Sequence, residues 1–189
     1  GIFLVSDEKE VVENRFRSEP QLLDELPVTV SGRLGRITEV DRYRFRTKKA
    51  GPITIELMAR KLGSKFHGML QVHDSVGRII ADVADTEGLD TSLTFAADAG
   101  QRYEVRLTDV DFRGNRAFVY RLRVTPGPRI VSTIPTAINR GANNEVKLIG
   151  YGVATGAAKL ETVTRTIDVP GDFAGNQFAY RLETAFGSS

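Results

Sequence analysis

The sequence has no cysteine and no tryptophan, and it contains only two methionines and two histidines. The absence of cysteine excludes disulfides, thiol catalysis and metal sites built from thiolates. His67 and His73 are separated by a predicted strand of about 20 Å, which is too long for one metal ion to bridge. No apolar run approaches the ~20 residues of a membrane-spanning helix, so we expect no membrane insertion.

A strong excess of charge of one sign is also missing. The chain has 26 Lys and Arg residues against 24 Asp and Glu residues, a formal net charge of +2. This surplus is too small to predict a nucleic-acid partner. The first five residues lack a starting Met and a basic leader, so they do not form a signal peptide. We expect the 189 residues to be a piece of a longer protein that carries any targeting segment elsewhere.

Between Leu26 and Val124, short segments with an apolar residue at every second position dominate the sequence. This period is typical of half-buried strands. Turn sequences separate about eight such segments, and two of these turns are Ala-Gly pairs that end at Gly51 and Gly100. The pattern predicts an all-β fold, namely a jelly-roll-like antiparallel β-sandwich. In the charged lead-in before it, Ser18 and Pro20 predict a short helix over residues 18–25.

A linker follows the predicted sandwich at Thr125–Pro128, because its two prolines cannot donate hydrogen bonds to a sheet. We therefore divide the chain into a lead-in (1–25), a β-sandwich (26–125) and a smaller immunoglobulin-like β unit (126–189). About 60 residues are few for an immunoglobulin-like sandwich of ~100, so the last unit either lacks a strand or leans on the first domain. Its predicted strands cover residues 130–131, 146–149, 163–169 and 178–182.

Several segments in a fixed order resemble the bacterial pre-peptidase C-terminal domain, over residues 26–124. They are Leu26–Gly32, Val40–Phe45, Lys49–Gly51, Ala59–Ser64, Asp74–Ala81, Ala99–Tyr103 and Val119–Leu122. The tail, with Pro128–Pro135, Gly141 and Val146–Gly152, is similar to the opening of an IPT/TIG-type immunoglobulin-like domain.

The first resemblance implies a jelly-roll-like accessory module without catalysis, which acts as a spacer, a folding aid or a binder of polymers. Some members of that family bind calcium through an acidic lead-in that contains Glu-Pro-Asn. The corresponding stretch here, Glu13–Arg17, departs from that pattern because it carries arginines where carboxylates would help. We accordingly assign no calcium site to it.

The residues themselves predict no catalytic site, since the chain contains no Gly-x-Ser-x-Gly motif and no recognisable triad. Two sets of side chains are candidates for binding. The acidic loop with Asp82, Asp85, Glu87 and Asp90 offers hard oxygen ligands that suit calcium, and the sequence suggests no other cofactor. The outward arginines of two strands would form a flat cationic patch if both strands lie in one sheet; they are Arg42, Arg44, Arg46, Arg121 and Arg123.

The sequence therefore predicts a non-enzymatic accessory module of a larger exported bacterial protein. Its partners would be other domains of the parent chain and an anionic extracellular polymer, and its location would be secreted, periplasmic or at the cell surface. Two alternatives stay open. The chain is either a structural spacer without a ligand, or a calcium-stabilised module that assists a protease.

Overall fold

The computed structural model describes residues 6–16, 18–84 and 90–189. Within these residues the regular secondary structure is β, apart from one 3₁₀ turn, η1, at Arg60–Leu62. The strands are β1 Lys9–Val12, β2 Gln21–Leu23, β3 Val28–Arg33, β4 Asp41–Arg46, β5 Gly51–Met58, β6 Gly68–His73, β7 Ile79–Ala84, β8 Ser92–Ala97, β9 Arg102–Asp109, β10 Val119–Pro126, β11 Arg129–Ile134, β12 Ala142–Tyr151, β13 Leu160–Val169, β14 Glu183–Thr184 and β15 Gly187–Ser188.

The first ten strands form a sandwich of two five-stranded sheets. The first sheet has the strand order β1-β3-β10-β5-β8, and the second has the order β2-β4-β9-β6-β7. Successive strands alternate between the two sheets, except that β6 and β7 form a hairpin within the second sheet. This arrangement confirms the predicted all-β sandwich.

The two Ala-Gly turns carry the chain from one sheet to the other. Gly51 begins β5 with φ +147°, and Gly100 precedes β9 with φ +73°, a conformation that residues with a Cβ resist. The turns lie side by side, since the Gly100 N–H donates to the Thr47 carbonyl at 2.9 Å and the Thr47 N–H donates to the Gln101 carbonyl at 3.0 Å. They are corners at one end of the sandwich.

The lead-in contributes a strand to each sheet, in parallel pairings of β1 with β3 and of β2 with β4. The predicted helix over residues 18–25 is therefore wrong, because Gln21–Leu23 is a strand. Leu23 is 4% exposed and joins the core of the sandwich. Burial of this side chain between the sheets outweighs the local signals for a helix cap at Ser18 and Pro20.

The core of the sandwich consists of the inward residues of both sheets, which the alternation in the sequence predicts. Tyr43, Phe45, Val105 and Leu107 from the second sheet are at most 1% exposed. They face residues of the first sheet that are buried to a similar degree; among these are Val30, Ile55, Leu122 and Val124. The aromatic side chains pack edge to face where Phe95 meets Tyr103, with ring centroids 5.1 Å apart.

The second unit is smaller, with one antiparallel sheet in the order β11-β12-β13 and the hairpin β14-β15. Its own core contains Val146, Leu148, Ile167 and Leu182. The predicted strand over residues 178–182 is wrong, because this stretch is irregular in the structure. None of the described residues belongs to a helix that is long and apolar enough to cross a membrane.

Candidate functional site

The outer face of the second sheet carries a row of arginines. Arg42, Arg44 and Arg46 alternate along β4 with buried aromatic residues, so all three point away from the core as predicted. The neighbouring strand β9 adds Arg106 opposite Arg42, and Arg102 opposite Arg46. We call these five residues the arginine face.

Glu104 lies at the centre of the arginine face, opposite Arg44. Its side chain is 9% exposed and accepts hydrogen bonds from Arg42 Nε at 2.9 Å, Arg106 Nε at 2.9 Å and Arg44 Nη2 at 3.0 Å. Burial by itself raises the pKa of Glu104, but the hydrogen bonds from the three arginines outweigh it and lower the pKa to about 2. The charged carboxylate holds these guanidinium groups in place at neutral pH.

The arginine face keeps a surplus of positive charge. Among the described residues, the acidic side chains on the strands of this face are those of Glu104 and Asp82. Asp82 lies on the edge strand β7 and pairs with Gln71. Two carboxylates against five arginines leave a formal surplus of three positive charges. Arg46 and Arg102 are exposed at one end of the face, where Arg46 Nε donates to the Gly100 carbonyl at 2.8 Å.

Arg121 and Arg123 lie on the other side of the sandwich, because β10 belongs to the first sheet. Arg121 and Arg123 therefore do not form one cationic patch with Arg42, Arg44 and Arg46, because such a patch required both strands to lie in one sheet. Acidic side chains engage both residues. Arg121 pairs with Glu10, and Arg123 pairs with Glu8 and with Glu56, where Nη1 to Oε2 is 3.0 Å. The hydrogen bond from Arg123 lowers the pKa of Glu8, so this second set of arginines is neutralised.

The acidic loop that the sequence proposed for calcium is only partly described, since Asp85 and Glu87 lie outside the described residues. Asp82 belongs to β7 and faces solvent beside the arginine face. Asp90 Oδ1 accepts the two backbone N–H groups that precede and begin η1, both at 2.7 Å. This contact gives Asp90 a structural role as the cap of the turn, and a calcium site in the loop stays a prediction.

A different group of acids comes together at the end of the sandwich where β1 ends and β4 begins. One oxygen from each of Glu13, Glu39 and Asp41 lies within 4.8 Å of the other two. Glu13 also accepts the N–H of Arg33 at 2.9 Å, and Glu39 accepts the N–H of Arg36 at 2.8 Å. We call Glu13, Glu39 and Asp41 the carboxylate cluster.

Asp41 is the buried member of the carboxylate cluster, with 8% of its surface exposed. Its Oδ2 accepts the hydroxyl of Tyr120 at 2.5 Å, and that hydroxyl also contacts the hydroxyl of Tyr43. Burial raises the pKa of Asp41 to about 7, and the nearby charges of Glu13 and Glu39 add to the increase despite the opposing Tyr120 hydrogen bond. Part of the Asp41 population is therefore protonated at neutral pH.

The carboxylate cluster has the oxygen donors that a hard cation such as calcium prefers. The sequence assigned no site here, although Glu13 begins the stretch that the family resemblance singled out. Burial raises the pKa of both Glu13 and Asp41, and the positive charge of the neighbouring Arg15 opposes part of this rise. One guanidinium group thus offsets part of the repulsion between the three acids.

An open cleft of about 1060 Å³ separates the first sheet from the second unit. Glu56 and Arg123 line it from the sandwich, and Ile138, Phe173 and Phe178 line it from the second unit. Arg129, at the start of β11, also lines the cleft, and its Nε bonds to Glu56 Oε1 at 3.0 Å, which connects the two units. The described lining residues hold no nucleophile paired with a general base.

Two solved structures of β-sandwich domains are similar to this chain. The pre-peptidase C-terminal domain of a collagenase from Bacillus anthracis is 21% identical, with a TM-score of 0.47, over 59% of this chain and 100% of that chain. PliG of Aeromonas hydrophila, a periplasmic inhibitor of g-type lysozyme, is 12% identical, with a TM-score of 0.40, over 62% of this chain and 97% of that chain. Both likenesses are of fold alone.

No protein-family model matches the chain, and no curated protein matches it. The collagenase domain bears the name of the family that residues 26–124 resemble. The resemblance of the tail to an IPT/TIG-type domain has no counterpart among these structures and stays a prediction.

Proposed function

We propose that this chain is a non-catalytic accessory module of a larger exported bacterial protein, and that its arginine face binds an anionic extracellular polymer. The observation that carries the proposal is the charge surplus of this face. Among the residues that the structure describes, five arginines share it with two carboxylates, whereas Arg121 and Arg123 on the opposite face are paired with acids.

The spacing of the arginine face suits an extended chain of anions. Arg42, Arg44 and Arg46 follow one another at every second position of β4. Such positions are about 7 Å apart, so the row offers successive contacts to a polymer with regularly repeated anionic groups. Guanidinium groups can bind carboxylate or sulfate groups with two parallel hydrogen bonds, which a lysine cannot do.

Glu104 supports this function because it orders the arginines in advance. Three guanidinium groups already share its carboxylate, so binding does not have to immobilise three long side chains. Arg46 and Arg102 do not bond to Glu104 and lie exposed at the end of the face. They are therefore the side chains most available to a ligand.

Retention on immobilised alginate, a carboxylate polymer, tests the proposal, with dextran as the uncharged control. We expect retention at low salt and elution near 0.15 M NaCl, where the Debye length is about 8 Å. The Arg46→Gln/Arg102→Gln variant should bind about two- to thirtyfold more weakly, because two exposed ion pairs contribute roughly 0.4–2 kcal/mol together. The Lys147→Gln/Lys159→Gln variant has the same change of charge in the second unit and should bind like the parent.

Equal losses in the two variants would show that net charge, and not the arginine face, causes retention. Absence of retention on alginate and on dextran sulfate at low salt would favour the alternative of a spacer without a ligand.

A further inference from the structure

The strand β13 leaves one edge of the second unit open. It pairs with β12 along its whole length, from Ala142 opposite Val169 to Tyr151 opposite Leu160. No strand among the described residues pairs with its other edge. Its ten residues contain no proline, no lysine and no bulge, which are among the devices that prevent a sheet edge from pairing with another chain. Its charged side chains are Glu161, Arg165 and Asp168.

Two side-chain contacts show which backbone groups face this open edge. Asn144 lies opposite Ile167, and its Nδ2 donates to the Ile167 carbonyl at 3.2 Å, so this carbonyl points towards β12. Backbone groups alternate in direction along a strand, so those of Thr162, Thr164 and Thr166 point to the open edge. Consistent with this, Arg165 Nη1 donates to the Thr164 carbonyl at 2.9 Å.

We propose that a second copy of this chain pairs with β13 in antiparallel orientation, with the two-fold axis at Val163. In this register Thr162 of each copy lies opposite Thr164 of the other, and their open backbone groups face each other. Glu161 of each copy then lies opposite Arg165 of the other. The two three-stranded sheets become one sheet of six strands with an isologous interface.

Charge favours this register, because among axes on the strand from Glu161 to Arg165 only the one at Val163 places Glu161 opposite Arg165. A two-fold axis at Arg165 places this arginine opposite itself, and an axis at Glu161 places two carboxylates opposite each other, which destabilises a strand pair. The axis at Val163 forms two pairs of opposite charge. The carboxylate of Glu161 is held in place within its own chain, because its Oε2 accepts the N–H groups of Ala154 and Thr155 at 2.9 Å and its Oε1 accepts the Thr155 hydroxyl.

Arg165 has a different partner in the monomer and in the dimer. In the monomer its guanidinium group covers the Thr164 carbonyl at the open edge. In the dimer it moves to Glu161 of the other copy and frees that carbonyl for the Thr162 N–H of the other strand. The exposed threonines on the outer side of β13 have high β propensity and add no charge that opposes pairing.

Disulfide trapping tests the register directly, since the chain contains no cysteine. At the proposed axis the two Val163 Cα atoms are about 4.5 Å apart, within the range for a disulfide. We therefore expect Val163→Cys to form a covalent dimer under mild oxidation. Arg165→Cys is the matched control, because its two copies lie about 13 Å apart and should cross-link far more slowly. A mixture of Glu161→Cys and Arg165→Cys chains should form the mixed disulfide.

Sedimentation velocity over a range of concentrations tests the dimer without cysteines. We expect a concentration-dependent dimer that Arg165→Glu weakens, because this change places Glu161 opposite a second carboxylate. The double variant Glu161→Arg/Arg165→Glu should restore it, provided that circular dichroism shows an intact fold. A monomer at every concentration, or equal cross-linking of Val163→Cys and Arg165→Cys, would overturn the proposal.

Discussion

Replacement of Asp41 by asparagine should abolish most of the pH dependence of stability between pH 5 and pH 8. Asp41 is 8% exposed and shares the carboxylate cluster with Glu13 and Glu39. Asparagine has nearly the same shape, and its amide oxygen can still accept the hydrogen bond from Tyr120. The Asp41→Asn variant therefore removes the titration and leaves the packing in place.

The sign of the effect follows from the raised pKa. The pKa of Asp41 is about 7 in the folded chain, against an ordinary value of 3.8. The folded chain therefore holds a proton that the unfolded chain has already released in this pH interval. The free energy of unfolding falls as the pH rises from about 4 to about 7. The decrease is complete above the pKa that Asp41 has in the folded chain. A change of about three pKa units corresponds to about 4 kcal/mol.

The shifted pKa values of Glu104 and Glu13 do not obscure this interval. Glu104 has a lowered pKa, about 2 against 4.5, so its stabilising effect is lost only as the pH falls below 4.5. Burial raises the pKa of Glu13, so this residue changes stability in the same direction as Asp41. The fall in stability between pH 5 and pH 8 therefore reflects the titration of the carboxylate cluster.

Urea unfolding, followed by circular dichroism at several pH values, measures the effect. We expect the midpoint of the parent protein to fall between pH 5 and pH 8, and that of Asp41→Asn to stay nearly constant. At pH 8 the variant should be the more stable protein, by up to about 4 kcal/mol. Asp24→Asn, at an exposed position, is the control and should retain the parental profile. A parental midpoint that rises with pH, or an Asp41→Asn profile as steep as that of the parent, would refute the reasoning.

Three further changes test other parts of the molecule. Calcium at about 5 mM, above the millimolar dissociation constants of weak extracellular sites, should raise the melting temperature at pH 8, because it relieves repulsion in the carboxylate cluster. Glu39→Gln should remove this increase, and magnesium should raise the melting temperature less than calcium does. Asp90→Ala should lower the free energy of unfolding by about 1–3 kcal/mol, measured by urea unfolding, because the N–H groups around η1 lose their acceptor; an unchanged midpoint would contradict the capping role. Glu104→Gln should destabilise the sandwich by about 1–3 kcal/mol and steepen the salt dependence of its melting temperature, because three arginines lose their shared carboxylate. A melting temperature equal to that of the parent would contradict this stabilising role of Glu104.

The alternation of apolar residues was sufficient to predict the all-β class and the direction of the arginines on β4. It also contained the signal for two arginines that were not among the predicted binding residues. Arg102 and Arg106 alternate with buried residues around Glu104 in the same manner. Local periodicity determines which side chains face outward, because successive residues of a strand point to opposite sides.

Periodicity was insufficient where burial or pairing with distant strands decides the structure. Phe178 and Tyr180 alternate like strand residues, yet they lie in an irregular segment and are 38% and 37% exposed. Leu23 was assigned to a helix, but it pairs opposite Phe45 as part of a parallel strand. Local sequence signals are weak compared with the burial of a large apolar side chain in a core.

The sequence by itself determined the β class, the absence of thiol chemistry and the outward direction of the arginines on each strand. Only the tertiary structure decided that β4 and β10 lie in different sheets, which separates Arg44 from Arg121. It also brought Glu13 beside Glu39 and Asp41, from which it is distant in sequence. The physical reason is that strand direction is a local property of the backbone. The choice of neighbouring strand depends on the packing of the whole core, which no short segment encodes.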